Sequence, residues 1–288
     1  MKRIFEIELI KLRNSRSAKV VFIIYASITI IGLLIFGSFW SAAQNETGNA
    51  LDGFPPFTFP MVWFTGALIS TYLIILPAIL AILHAGNEFT YKIHRQHIID
   101  GLSKDEYIIS KLFSIFIISL ACTIYTIFLC SIVGLLNNSN SVSQEEINKG
   151  LDIIFGNTHP ILWMFGYFIY SFSILSFASL ITFIFRKTGR SIFVFISYFL
   201  IVEWILRWLL VVKLELETLA EYLPIWSVSN NIFPNLTEAS TTAYRDREMD
   251  GKYAENLLSF DWPDTLMAII YIGIYFLLIR WIFSKRDL

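Results

Sequence analysis

Charged residues are scarce in this 288-residue chain, where Lys, Arg, Asp and Glu make up 16% of the sequence and hydrophobic residues 56%. A water-soluble domain carries about a quarter charged residues, so this chain has too little polar surface to cover a soluble globule. The net charge is −1, whereas a nucleic-acid-binding protein shows an excess of basic residues. These shortages exclude a nucleic-acid partner and predict an integral membrane protein.

Cysteines are also few, and a sequence motif for ATP hydrolysis is missing. Cys122 and Cys130 lie eight residues apart in one apolar run, about 12 Å apart on a helix and too far for a disulfide. The sequence contains no G-x-x-x-x-G-K-[ST] phosphate-binding loop, so the chain is not expected to hydrolyse ATP by that mechanism. We therefore expect no enzyme activity, metal or cofactor of its own.

Six apolar runs are long enough to cross a bilayer, since about 20 helical residues span ~30 Å. They cover residues 20–40, 61–84, 112–136, 161–185, 191–212 and 264–283. The first run is longer than the core of a signal peptide, and no clear small-residue cleavage site follows it. The sequence thus predicts an all-α protein in which residues 1–288 form a single transmembrane domain with six spans.

The lysines and arginines predict the orientation of these spans. Sixteen of the 22 fall in segments that share one side with the N-terminus, namely 1–19, 85–111, 186–190 and 280–288. The opposite side holds five, in 137–160 and 213–262, and Arg207 lies within a span. Short loops rich in Lys and Arg stay in the cytoplasm, so both termini are predicted to be cytoplasmic. Residues 213–263 then form an outer connection.

Residues 85–111, which we call the elbow, are a polar segment between two apolar runs. Gly101 is placed to end a helix near Ile99, because glycine adopts the left-handed conformation found after helix C-termini. Ser103 and Glu106 have the S-x-x-E spacing of a capping box, which starts a new helix. This helix is predicted to continue into the third span, so the elbow is a helix, a sharp break and a second helix.

Glu88 and Lys92 lie i, i+4 in the favourable order and are predicted to form an ion pair on the first elbow helix. A plain connecting loop is the alternative interpretation of the elbow. The five residues 186–190 join two spans on the same side with far less chain. The length of the elbow therefore favours a docking surface, although surface helices are common.

The elbow resembles the first cytoplasmic loop of type-2 ATP-binding-cassette (ABC) permeases. The resemblance lies in a glutamate after the second span, an arginine, a Gly-Leu-Ser break, an acidic residue and a lysine at the third span. These are Asn87-Glu88-Phe89, Arg95, Gly101-Leu102-Ser103-Lys104-Asp105-Glu106 and Lys111, and the N-terminal Glu8–Arg16 is also similar to that family. Lys104 stands where arginine is more usual.

The resemblance implies a fold and a role. Two six-span subunits, copies or paralogues, pair in a bacterial cell membrane, and each binds a cytoplasmic ATPase that holds ATP and Mg²⁺. The pair then works as a transporter, expected to be an exporter, whose substrate and direction the sequence does not specify. The docking residues would be Glu88, Lys92, Arg95, Gly101, Ser103, Lys104 and Glu106, with Arg186, Lys187 and Arg190 as a second contact.

Glu203 and Arg207 are the acid and the base well inside a predicted span. Each costs about 2.5–3.5 kcal/mol near the centre of a membrane helix. Their i, i+4 spacing places them on one face of the fifth span, where they can form an ion pair. Two interpretations stay open, a structural ion pair at a helix contact or interface and a lining of the translocation path.

The third span carries a stripe of small polar residues on one helical face: Ser119, Thr123, Thr126 and Cys130. Such stripes usually mediate helix packing in lipid, and a substrate path is the alternative. Pro77 is expected to kink the second span near its cytoplasmic end.

The N-terminal segment and the outer connection have less regular sequence patterns than the apolar runs. Residues 1–19 alternate like a strand at Phe5, Ile7 and Leu9, but a lone strand has no sheet to join, so we predict an interfacial helix. A simple positively charged anchor is the alternative.

In the outer connection, residues 214–221 suggest a short surface helix before Pro224 and Pro234. A cap over an outer vestibule and a solvated loop both fit this segment.

Two other classes of function remain. In an ATP-independent membrane scaffold, the elbow would bind something other than an ATPase. In an intramembrane protease, Glu203-x-x-x-Arg207 would resemble part of the CAAX-protease motif, which also needs histidines on later helices. The histidines all precede Glu203, and no H-E-x-x-H is present: they are His84, His94, His97 and His159. His94 and His97, at i, i+3, could hold a metal but are more typical of an exposed helix.

Overall fold

The computed structural model describes residues 2–47, 57, 59, 61–137, 161–214, 216, 219–220, 222–226 and 262–285, and every regular element among them is helical. We number the main helices in chain order. They are α1 Lys2–Asn14, α2 Arg16–Thr47, α3 Met61–Tyr72, α4 Ile75–Thr90, α5 Ile93–Ile99, α6 Lys104–Asn137, α7 Ile161–Phe185, α8 Thr188–Lys213 and α9 Trp262–Lys285.

Five of these helices, α2, α6, α7, α8 and α9, are long and apolar enough to cross a membrane. The pair α3 and α4 makes a sixth span if its two halves, bent by 51°, are counted together. For the described residues, the prediction of an all-helical fold with helices long and apolar enough to span a membrane at these positions is confirmed. Most of the outer connection, including Pro234, lies outside the described residues.

The bend between α3 and α4 follows from Pro77. Proline has no N–H to donate to the carbonyl four residues back, and its ring crowds that carbonyl, which belongs to Leu73. The helix breaks at Leu73 and Ile74, where Leu76 N–H reaches only as far as Leu73 O at 3.1 Å. The expected kink is therefore present, but it lies deeper in the span than predicted because proline acts on the preceding turn.

Helix α7 occupies the centre of the bundle. Helices α3, α4, α6, α8 and α9 all pack against it. Its large side chains Trp163, Tyr167 and Tyr170 are buried in the main apolar core. By contrast, most apolar side chains of α2, α8 and α9 face away from the bundle. These outer faces are available to lipid or to another subunit.

A second apolar cluster lies at the elbow end of the bundle, where α4, α6, α7 and α9 converge. Phe89, Tyr107, Phe183 and Phe283 pack there with ring centroids 5.1–6.4 Å apart. Such aromatic pairs stabilise a contact beyond the area that they bury. This aromatic cluster fixes the ends of four helices and so supports the elbow from below.

Residues 2–14 form a helix, as predicted, rather than a strand. Helix α1 packs on α2 and α6 beside the elbow. The ion pair between Arg280 Nη2 and Asp105 Oδ2, at 2.9 Å, joins the end of α9 to the start of α6. The N-terminal helix, the elbow and the end of α9 therefore lie at one end of the bundle.

Candidate functional site

The elbow consists of the end of α4, the whole of α5, the start of α6 and two residues in the left-handed conformation between them. Helix α4 ends at Thr90, and Lys92 then adopts a φ of 58° before α5 begins. Gly101 follows α5 with a φ of +97°, a conformation that side chains other than glycine rarely adopt. The predicted helix end at Ile99 and the glycine break after it are both confirmed.

The predicted capping box also forms. Ser103 N–H donates to Glu106 Oε2 at 3.0 Å, and Glu106 N–H donates to Ser103 Oγ at 3.2 Å. These reciprocal bonds satisfy two backbone donors at the start of α6. The break at Gly101 and the cap at Ser103 together fix the angle at which α5 leaves the bundle.

Ser103→Ala is expected to destabilise the first turn of α6 by about 1 kcal/mol, because the Glu106 N–H loses its acceptor. Hydrogen exchange of the amides of residues 103–108 measures this directly. Ser103→Thr keeps a hydroxyl and serves as the matched control. Equal exchange rates in the alanine variant and the wild-type protein would show that the cap does not stabilise the elbow.

The elbow exposes large apolar side chains among cations. Tyr91 is 72% exposed and Ile99 is 83% exposed. The side chains of Lys92, Arg95 and Gln96 are also exposed on the same short segment. Exposed apolar residues rimmed by polar ones are typical of a contact surface for another protein. We call Tyr91, Lys92, Arg95, Gln96 and Ile99 the elbow surface.

Glu88 is not part of this surface. Its side chain is buried, and its carboxylate contacts Lys11, Lys111 and Tyr107. The predicted ion pair with Lys92 is wrong, because α4 stops at Thr90 and the left-handed turn carries Lys92 away. A rule for neighbours on one helix does not apply across a helix break.

Beneath the elbow lies a buried charge cluster formed by Glu8, Lys11, Glu88 and Lys111. Lys111 Nζ donates to the two oxygens of Glu8 at 3.0 and 3.1 Å, and it lies 2.7 Å from Glu88 Oε1. Lys11 Nζ lies 3.0 Å from Glu88 Oε1 and 3.3 Å from Glu8 Oε1. Two carboxylates and two ammonium groups from α1, α4 and α6 thus neutralise one another.

Three further hydrogen-bonding groups complete this charge cluster. His84 Nε2 and Ser114 Oγ each donate to Glu8 Oε2 at 2.8 Å, and Tyr107 Oη donates to Glu88 Oε2 at 3.0 Å. Buried ionised groups are tolerated only when their polar atoms are satisfied in this way. The cluster therefore joins the N-terminal helix rigidly to both sides of the elbow.

The pKa of Glu8 shows how strongly the cluster is coupled. Burial alone would raise this pKa, but the hydrogen bond from His84 and the Lys111 and Lys11 cations outweigh burial and hold it well below its usual value. The pKa of Lys11 is raised, because the Glu88 and Glu8 carboxylates outweigh its burial. Both groups are therefore charged at neutral pH.

Acid is expected to destabilise the fold through Glu8. Its folded-state pKa lies below its ordinary value of 4.5. The stabilisation from its ionised form is thus complete above pH 4.5 and is lost as the pH falls further, by up to about 1.4 kcal/mol per pH unit. Thermal unfolding in detergent between pH 5 and 3 measures this loss. The slope should be shallower in Glu8→Gln, and equal slopes would contradict the role of Glu8.

Glu8, His84 and Glu88 bring three potential metal ligands within 4.8 Å of one another. Lys11 and Lys111, however, already contact these carboxylates where a metal ion would need to bind. Since the four charges balance, the geometry favours an ion-pair network over a metal centre.

The two elbow histidines face different partners, so they do not form a shared metal site. His94 Nδ1 lies 3.2 Å from the Glu88 carbonyl oxygen, and Lys11 Nζ donates to His97 Nε2 at 3.0 Å. Burial lowers the pKa of His94, and burial together with the Lys11 cation lowers that of His97. Both histidines are thereby kept neutral at pH 7.

The short connection between α7 and α8 lies beside the elbow. Thr188 Oγ1 donates to Asn87 Oδ1 at 3.2 Å, and Gly86 allows the close approach because a Cβ there would meet Thr188 Oγ1 at 2.8 Å. Arg186 has a φ of 49° and its guanidinium lies 5.8–5.9 Å from the rings of Phe89 and Phe283. Arg186 therefore packs on the aromatic cluster.

The remaining predicted docking residues differ in exposure. Lys187 and Arg190 are exposed near the elbow, as are Gly101 and Ser103. Lys104 is half-buried, and its Nζ donates to the carbonyl of Ser284 at 3.5 Å. Lys104, Arg186 and Glu106 thus hold the elbow in place, while Lys187 and Arg190 extend the charged surface beside it.

The polar stripe on α6 is buried in helix contacts. Ser119 Oγ donates to the Phe168 carbonyl at 3.2 Å and pairs with Ser171, both on α7. Thr126 pairs with Ser70 at 3.0 Å, and Thr123 and Cys130 are buried on the same face. These contacts support the packing interpretation.

Glu203 and Arg207 do not form the predicted ion pair. Glu203 Oε1 instead accepts hydrogen bonds from the N–H groups of Ile225 and Trp226 at 2.8 and 2.6 Å. The Arg207 guanidinium lies 3.1 Å from the centroid of the Trp226 ring. The turn that begins at Pro224 thus provides a partner for one oxygen of Glu203 and for the guanidinium of Arg207, in place of an ion pair between them. These contacts hold residues 222–226 against α8.

This arrangement also bears on the protease alternative. His84, His94 and His97 all contact groups around the elbow, whereas Glu203 binds residues 225–226 of the outer connection. His159 lies outside the described residues. Among the described residues, therefore, no histidine approaches Glu203 to make the pair that such a protease needs.

From the sequence, Glu8 and Lys111 were noted only as parts of segments that resemble ABC permeases, and no role in the site was predicted for them. Glu8 lies 76 residues from His84 and 103 residues from Lys111 along the chain, so no local spacing reveals these pairings. One signal was available, since Lys111 is a charge at the start of a long apolar run with Ser110 and Ser114 beside it. A charge in that position needs a partner.

A comparison with known protein families finds a match that covers most of the chain. Residues 57–288 match the family described as "Protein of unknown function (DUF2705)". No curated protein matches the chain.

Proposed function

Because the chain belongs to the DUF2705 family, whose description names no activity, we propose its function from the geometry: it is the membrane-spanning permease subunit of an ABC transporter. The observation that carries this proposal is the elbow surface. It exposes Tyr91 and Ile99 among cations, at the end of a helix pair that is braced by a buried charge cluster.

Charge distribution supports a cytoplasmic position for this surface. Helix α1, the elbow, the 186–190 connection and the end of α9 lie at one end of the bundle and carry most of the lysines and arginines. Under the positive-inside rule, that end faces the cytoplasm. A soluble ATPase can reach the elbow surface only from that side.

The elbow surface fits a folded protein better than a lipid surface. Its apolar residues, Tyr91 and Ile99, stand at the two ends of α5 with Lys92, Arg95 and Gln96 between them. This spacing offers an apolar anchor at each end and charges along the middle. Apolar anchors within a polar rim are the arrangement of protein–protein hot spots.

The charge cluster gives the route by which a partner moves the spans. A displacement of α5 acts on α4 through the Tyr91–Lys92 turn and on α6 through the Gly101 break. Glu8, Glu88 and Lys111 tie α1, α4 and α6 together with buried bonds of 2.7–3.1 Å. Closely packed, fully bonded groups shift together rather than separately. The three helices therefore move as one unit.

In this account the chain has no cofactor of its own, and ATP and Mg²⁺ are bound by the ATPase. The outward apolar faces of α2 and α8 offer room for a second permease, either a copy of this chain or a paralogue. An exporter is the direction that the family resemblance implies. Glu88 acts as a positioning residue beneath the elbow surface and does not touch the ATPase.

Affinity purification of the tagged chain from native membranes in mild detergent, with mass spectrometry, tests this proposal. We expect a stoichiometric partner that carries a G-x-x-x-x-G-K-[ST] loop and that is lost when Tyr91 and Ile99 are both changed to Asp. Recovery of the chain with another protein bound to the elbow, and without an ATPase, would overturn the permease proposal in favour of a scaffold.

A further inference from the structure

Glu203 is buried in α8 with only part of its carboxylate satisfied. The residue is 5% exposed, and its Oε1 accepts the two backbone hydrogen bonds from Ile225 and Trp226. Its Oε2 is also buried, and no group among the described residues donates to it. A buried carboxylate oxygen without a donor is costly, so it is a position where a cation would bind favourably.

The backbone on both sides of Glu203 departs from the α-helix. Residues Tyr198–Val202 and Leu209–Lys213 form π-helical turns directly before and after the α-helical turns that carry Glu203. Such turns are rare and occur frequently at functional sites.

Residues 222–226 cover the Glu203 carboxylate. Tyr271 Oη donates to the carbonyl of Tyr222, and Glu203 binds the backbone of Ile225 and Trp226. Arg207, the nearest basic residue along α8, directs its guanidinium onto the Trp226 ring, 3.1 Å from the ring centroid. The arginine thus holds the cover, and it does not ion-pair with the Glu203 carboxylate.

We propose that Glu203 forms a binding site for a small monovalent cation in the membrane-spanning part of the protein. One carboxylate neutralises one monovalent cation, whereas a divalent ion would leave a buried net positive charge. The cation can be a metal ion such as Na⁺ or K⁺, or the ammonium group of a cargo molecule. The site is separate from the elbow surface and does not depend on an ATPase.

Thermal unfolding of the purified chain in detergent tests the site. Choline chloride is replaced by NaCl, KCl or methylammonium chloride at constant ionic strength and pH, so that only the cation changes. At saturation, at least one cation should raise the midpoint by roughly 5–10 °C. A response to methylammonium alone assigns the site to cargo, and a response to Na⁺ or K⁺ assigns it to an ion.

Glu203→Gln is the matched variant, since its amide oxygen still accepts from Ile225 and Trp226 while the negative charge is removed. We expect it to fold and to lose the cation response. Glu203→Asp keeps the charge and should retain the response with at least roughly tenfold weaker affinity. Fluorescence of Trp204 and Trp226, whose ring centroids are 6.5 Å apart beside the carboxylate, gives a second readout in the wild-type protein.

Three results would overturn the proposal. The wild-type midpoint and fluorescence could be the same in all four salts. The response could be equal in the wild-type protein and in Glu203→Gln, which would place the cation elsewhere. The midpoint could follow pH but none of the added cations, which would identify a proton as the occupant of Glu203.

Discussion

Replacing Lys111 with methionine is expected to destabilise the protein by about 3–5 kcal/mol, more than any other single change at the elbow. The variant keeps most of the side-chain volume but removes the ammonium group that contacts both Glu8 and Glu88. Two buried carboxylates are then left with Lys11 as their remaining lysine partner. The free energy of unfolding in mixed detergent micelles measures the loss.

Two further variants separate this effect from a general effect of losing a lysine. Lys19 is exposed at the start of α2, so Lys19→Met should change stability by less than about 0.5 kcal/mol. The double variant Lys111→Met with Glu8→Gln removes one carboxylate as well and should be more stable than Lys111→Met alone. A Lys111→Met protein as stable as Lys19→Met would show that the charge cluster does not hold the elbow.

The second large effect is expected at the elbow surface. Changing Ile99 to Asp should weaken ATPase binding at least roughly 30-fold, because an apolar anchor at a hot spot contributes about 2 kcal/mol or more to an interface. Ile99 is 83% exposed and contributes little to the fold, so the unfolding midpoint should stay unchanged. Binding of the purified ATPase to the chain in nanodiscs measures the affinity.

Two exposed arginines serve as controls for the Ile99 prediction. Arg95→Ala, which removes an exposed charge between the two apolar anchors, should weaken binding less than tenfold and make it less dependent on salt. Arg13→Ala lies on α1, outside the elbow surface, and should leave the affinity unchanged. If Ile99→Asp binds as tightly as Arg13→Ala, the ATPase does not dock on this surface.

Features of the fold that depend on a few consecutive residues could be predicted from the sequence. The spans follow from the length of their apolar runs, since a bilayer imposes that length. The break at Gly101 and the cap at Ser103 follow from backbone conformation and hydrogen bonding within one turn. Even the bend near Pro77 was foreseeable, although its position required counting back to the carbonyl that proline affects.

The charge cluster could not be predicted in this way. Glu8, Glu88 and Lys111 come from three helices that meet only after the bundle has packed. Both helix-spacing predictions, Glu88 with Lys92 and Glu203 with Arg207, failed, and the first pair is also separated by the end of α4. A partner elsewhere in the fold offered better geometry than the neighbour on the same helix, and i, i+4 pairs contribute only about 0.2–0.5 kcal/mol.

Cross-linking from the elbow surface tests the central claim most directly. Cys122 and Cys130 are both buried, so in Ile99→Cys the introduced thiol is the accessible one among the described residues. A thiol-linked photo-cross-linker at this position is activated in native membranes, and the product is identified by mass spectrometry. The docking account predicts one major product, the chain joined to an ATPase with a phosphate-binding loop, and little product from Arg13→Cys. Cross-links to lipid alone, or to a protein without that loop, would contradict it.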